Sequence, residues 1–136
     1  MQLKPGVSQA EMKRPELDAR EQDILSFARQ WVQLAATEGF EAAVAVLDPT
    51  GQVEWSQRLL DEMTFDHFDD GRQPKITDPR AVPDLRVDAY EYQDGSGFAV
   101  DHDLAMDGKR SDFTAQFHFH KTPKGYRIIL MDVHVL

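Results

Sequence analysis

The period of the hydrophobic pattern changes once along this chain, and that change sets the order of its elements. Ile24, Phe27, Ala28, Trp31, Leu34 and Ala35 recur at helical spacing. From Leu85 onward the pattern alternates at every second residue, in runs broken by Asp94-Gly95, Asp107-Gly108 and Thr122-Pro123-Lys124-Gly125. An Asp-Gly pair between alternating runs is a strong hairpin signal, because both central residues of the favoured turn need positive φ. Helices followed by an antiparallel meander make an α+β fold.

Local signals divide the first half. Asp18 with Glu21 resembles a capping box ahead of the first helix, and Gly39 a stop after it. A second short helix presents Phe40, Ala43, Val44 and Leu47 on one face. Asp48-Pro49-Thr50-Gly51 reads as a turn, and Ser56 as the cap of a third helix carrying Leu59, Leu60 and Met63. Residues 66–84 are rich in Asp, Gly and Pro and predict an extended loop. Residues 1–16 have no apolar period and predict a flexible arm, which leaves 17–136 as a single domain.

Composition removes several classes of function. The chain has no cysteine, which excludes disulfides, thiol catalysis and cysteine metal sites. The longest apolar run, Ala42 to Leu47, falls far short of the ~20 residues that span a bilayer. No secretory leader is visible at Met1-Gln2-Leu3-Lys4, so a cytoplasmic location and no membrane partner are expected. The net charge is −9; residues 1–20 carry four basic and three acidic groups, so the excess lies beyond them. Such a field repels phosphate and attracts basic surfaces, which predicts a basic protein partner and no nucleic acid.

Carrying the three turns through the sheet places Val87 beside His102, His102 beside Phe113, and Phe113 beside His134. One face then gathers the apolar residues, the seat of the helices, with Trp31, Phe98 and Phe113 lining its wall. His102, Asp132 and His134 are its polar exceptions. A carboxylate beside an imidazole in an apolar cavity is a usable acid/base pair, with Asp132 as base, His134 as its partner or an acid, and His102 as donor to a developing oxyanion. The same pair can equally satisfy itself as a structural feature. The opposite face carries Tyr90, Tyr92, Asp101 and Asp103. Together with Asp61, Glu62, Asp66, Asp69 and Asp70 these are the expected partner contacts. Ile129, Met131, Val133 and Val135 would leave that face apolar on the last strand, which suits contact with a second copy in a homodimer or with the N-terminal arm. His118-x-His120 lacks a third ligand fixed by spacing, Asp66-His67-Phe68-Asp69-Asp70 lacks calcium-loop spacing, and no phosphate loop is present. No metal and no cofactor are predicted.

Four stretches carry a resemblance: Phe27-Ala28-Arg29-Gln30-Trp31-Val32, Asp103-Leu104 with Asp107-Gly108, Ser111 to Phe117, and Asp132-Val133-His134-Val135-Leu136. They resemble a family of small uncharacterised bacterial single-domain proteins with a nuclear-transport-factor-2-like fold, also called the cystatin-like cone. The resemblance implies three N-terminal helices on the concave face of a four-stranded or larger curved antiparallel sheet. That superfold hosts isomerases, dehydratases, ligand binders and toxin-immunity proteins, the last typically small, acidic and cysteine-free. The expectation is therefore an immunity or inhibitor protein that neutralises a toxin by direct binding. The alternative is a small-molecule binder or isomerase-like enzyme using Asp132 and His134.

Overall fold

The structure is a computed structural model describing residues 8–68, 71 and 73–135, without the side chains of 66–68. Helix α1 (Glu21–Glu38) buries Ile24, Phe27, Ala28, Trp31, Val32, Leu34 and Ala35 along one stripe. It starts at Arg20 rather than at the expected cap Asp18, because Asp23 reaches back to accept the Arg20 backbone N–H at 3.0 Å. Gly39 ends it as expected and leads into α2 (Phe40–Val44). Ser56 caps α3 (Gln57–Phe68), its Oγ accepting from the Leu59 backbone at 3.1 Å. Helix α3 therefore runs into the segment predicted as loop.

Strands β1 (Val87–Glu91), β2 (Gly97–Met106), β3 (Lys109–Thr122) and β4 (Gly125–Val135) form one curved antiparallel sheet in the order β1-β2-β3-β4. The class is α+β, as expected. Asp107 and Gly108 sit at φ +53° and +77°, the positive-φ pair that an Asp-Gly turn requires. Gly97 approaches β3 so closely that a Cβ would collide with the Phe119 carbonyl oxygen. Beyond β1, residues 75–77 pair with the end of β2: Thr77 donates to Ala105, Asp107 to Lys75, and Ile76 bridges Met106.

Two irregularities decide where side chains point. Between β2 and β3 the register shifts from Asp103↔Thr114 to Ala105↔Arg110. The shift is by two residues, so His102 faces Ala115 instead of Phe113 yet keeps its predicted face. Between β3 and β4 the pairing passes from Phe117↔Leu130 to Gln116↔Asp132. Met131 is the extra residue of a β-bulge, and one extra residue inverts the alternation beyond it.

Helix α1 packs on β1 and β2, and α2 on α1. Trp31, 1% exposed, meets Phe117 and Phe40 edge-on and donates its Nε1–H to the Ala43 carbonyl at 2.7 Å. Of the expected arm, residues 8–16 make contacts with the rest of the fold. A 3₁₀ turn spans Gln9–Glu11, Met12 packs against the core, and Arg14 donates to Asp48 and to the Val46 and Tyr126 carbonyls. These polar contacts, invisible to hydrophobic periodicity, tie the segment down. Among the described residues no helix is long and apolar enough to cross a membrane.

Candidate functional site

The bulge at Met131 moves the expected acid/base pair. Asp132 pairs with Gln116 and His134 with Thr114, so both project from the outer face, away from the helices, while Val133 turns inward and is buried. Asp132 and His134 therefore share no cavity with His102, which corrects the expected three-residue constellation. Asp132 Oδ2 lies 2.9 Å from His134 Nδ1, but the ring nitrogen is not aligned to donate along that line. The contact is a close approach without hydrogen-bond geometry. Both side chains remain open to water, at 47% and 33% exposure, which also removes the apolar setting an acid/base pair would need.

The same inversion builds the outer face. Asp88 pairs with Asp101, Asp101 with Gln116, and Gln116 with Asp132, so one transverse row crosses all four strands with three carboxylates in it. The adjacent row holds Arg86, Asp103, Thr114 and His134. Arg86 lies within 3.2 Å of Asp88, 3.5 Å of Asp101 and 3.4 Å of Asp103. Burial by itself would lower the guanidinium pKa; Asp103, Asp101 and Asp88 together outweigh it and raise it. Thr114 donates to Asp103 at 2.7 Å and the Gln116 amide to Asp101 at 3.1 Å, which fixes both carboxylates in place. Tyr90, half exposed at 51%, donates to Asp88 at 3.4 Å.

Farther along the same face Tyr92 stacks on His120 and meets His118 edge-on, and the two imidazoles touch. Burial and the neighbouring His120 lower the His118 pKa, against a smaller raising effect of Asp101. Burial raises that of Tyr92, whose hydroxyl is buried without a partner. Among the described residues no group of three His, Asp or Glu could hold a metal.

His102 keeps its predicted side and is 1% exposed. Its Nδ1 lies 2.7 Å from the Asp103 carbonyl, so Nδ1 bears the proton and donates. Nε2 is then a bare acceptor, and it is buried without a partner. Burial, with a smaller push from Arg29, lowers the pKa against the raising effect of the Asp103 carbonyl, and the ring stays neutral. His102 lines a cavity of about 230 Å³ with Arg29 and Gln33 of α1, and with Pro79, Arg80, Val82, Asp84, Leu85 and Val87. A more open hollow of about 350 Å³ lies between residues 13–19 and α1, but no unpartnered buried polar atom lines it.

The remaining expected contacts separate. Asp61 and Glu62 lie on α3, in the helical layer, held by Gln57 and Arg58 of their own helix. They do not join the outer-face row. Asp69 and Asp70, and the side chain of Asp66, lie outside the described residues, as does Leu136. Trp31, Phe98 and Phe113 are core residues and do not line the His102 cavity. The expected apolar outer face on the last strand is corrected too: Ile129 is buried, Val133 faces inward, and Asp132 and His134 replace it. Arg86 and Gln116, which alternation places on the outer face, were not among the expected contacts, and Arg29 and Gln33 were not expected at a site. Arg86 and Gln116 were legible as the polar partners of an alternating strand; the two helix residues needed the packing of residues 79–87.

A family model described as a domain of unknown function (DUF7668) matches residues 40–136, and the chain belongs to that family. No curated protein and no solved structure matches it. The match takes in the whole sheet and leaves α1 outside.

Proposed function

We propose that this protein is an acidic binding module with a nuclear-transport-factor-2-like cone, and that it acts in the cytoplasm as an immunity or inhibitor protein docking its outer sheet face on a basic toxin. The observation that carries this reading is the transverse row Asp88–Asp101–Gln116–Asp132 on the side the helices leave open. With Asp103, four carboxylates share the centre of that face with one guanidinium, Arg86. A net charge of −9 on the whole chain adds a steering field of the same sign. Tyr90 beside the row supplies the kind of exposed aromatic that anchors interfaces. Asp88, Asp101 and Asp103 are already held by Thr114, Gln116 and Arg86, so little ordering of them remains to be done on docking. The isomerase or dehydratase reading loses its base, since Asp132 and His134 point away from the helix-covered face.

The test compares tagged wild type with an Asp88→Lys/Tyr90→Ala double variant, at a half-buried carboxylate and an exposed tyrosine, in affinity capture from the host lysate at low salt. The expected result is a stoichiometric basic protein that wild type retains, that salt releases and that the variant fails to hold. That protein, expressed alone, should arrest growth, and co-expression of the wild type should restore it. A partner held equally by the variant, or no basic partner at all, overturns the reading.

A further inference from the structure

The orphaned Nε2 of His102 marks a second site, on the opposite side of the sheet from the acidic row. We propose that the cavity between α1, residues 79–87 and β2 binds a small monocarboxylate bearing a hydroxyl or N–H donor, with Arg29 holding the carboxylate and His102 Nε2 accepting the donor. A buried acceptor without a partner is costly, at roughly the strength of the hydrogen bond it forgoes, so native interiors rarely keep one. Here the ring cannot satisfy itself, because Nδ1 is spent on the Asp103 carbonyl and fixes the tautomer. A donor reaching Nε2 from the cavity that His102 lines would satisfy it.

The rest of the lining selects what carries it. Arg29 is exposed at the mouth and makes no hydrogen bond or ion pair with any described residue, whereas Arg80 on the opposite rim is engaged by Asp78 at 2.7 Å. One cation is thus open to an anion. Asp84 lies on the rim with φ +64°, and Arg110 pins its carbonyl at 2.6 Å. Its carboxylate belongs to an exposed residue of the lining and opposes a second negative charge, which favours a monocarboxylate over a dicarboxylate. Pro79, Val82, Leu85 and Val87 form an apolar wall against which a ring or short chain lies. The volume, about 230 Å³, is below the roughly 300–1,000 Å³ of sites for drug-sized ligands, so the occupant is of small-metabolite size.

Three probes separate the two contacts: meta-hydroxybenzoate offers both groups, benzoate lacks the donor, and phenol lacks the charge. Each is titrated into the isotope-labelled full chain, following the His102 ring nitrogens and the backbone amides of Leu85 and Val87 by NMR. Meta-hydroxybenzoate is expected to shift Nε2 saturably and to bind about tenfold more tightly than either partial probe. Arg29→Gln, at an exposed position, should weaken it about fivefold with unchanged melting. His102→Phe should abolish the advantage over benzoate. No shift at His102 with any probe, equal affinity for all three, or full affinity in Arg29→Gln overturns the proposal. The site does not depend on the outer-face reading: the Asp88→Lys/Tyr90→Ala variant should bind the probe like wild type.

Discussion

Along β3, Phe117 turns to the helices and is fully buried against Trp31, while His118 turns to the open side and lies against Tyr92 and His120. The two faces of one sheet divide the work between them. The inner face holds aromatic and branched side chains whose removal leaves a cavity. The outer face holds carboxylates, a guanidinium and imidazoles whose partners are mostly each other and water. The inner face thus carries most of the packing that holds the fold, and the outer face carries charged side chains whose replacement costs the fold less.

The largest effect that tests this division is Phe117→Ala, expected to lower unfolding stability by about 3–5 kcal/mol in urea titration. A loss near 1 kcal/mol would erase the contrast. Thr114→Val probes the outer face where it is buried. It removes the hydroxyl bonded to Asp103 while keeping the volume, and should cost about 1.5 kcal/mol, because Asp103 is left with one donor fewer. A pH titration compares the faces through their histidines. Burial lowers the pKa of both His102 and His118, so the unfolded chain takes up more protons than the folded one below the ordinary imidazole value of about 6.5. Stability is therefore complete above that pH and falls as the pH drops through it. His102→Gln should flatten this acid slope more than His118→Gln, since His102 is the more deeply buried; equal flattening would contradict the assignment. The smallest effect is Tyr90→Ala, expected within about 0.5 kcal/mol of wild type in thermal melts.

The inner face was legible because its pattern survives the first irregularity. A two-residue shift at Asp103 keeps side-chain parity, so His102 and Phe113 stay inside although they no longer pair. The second irregularity was hidden in the continuous run Ile128-Ile129-Leu130-Met131, where either parity buries an apolar residue. Strict alternation beyond it required Asp132 and His134 inside with Val133 and Val135 outside. That arrangement reverses the cost of burying polar groups, and the reversal was the available sign of a bulge. The His102 cavity was illegible for another reason. It depends on the approach of residues 79–87 to Arg29 and Gln33, a contact between distant segments that no local pattern encodes.

The ties made by Arg14, Asp48 and Trp55 have a consequence for self-association. The Tyr126 carbonyl accepts from Arg14, Ile128 exchanges bonds with Asp48 through both its N–H and its carbonyl, and the Leu130 carbonyl accepts from Trp55. Along that half of β4 four of the backbone groups a foreign strand would need are already engaged, which blunts the sheet there as a template for stacking further chains. Removing the segment through Arg14 would uncover the first of those groups, and with it a route to edge-to-edge polymerisation.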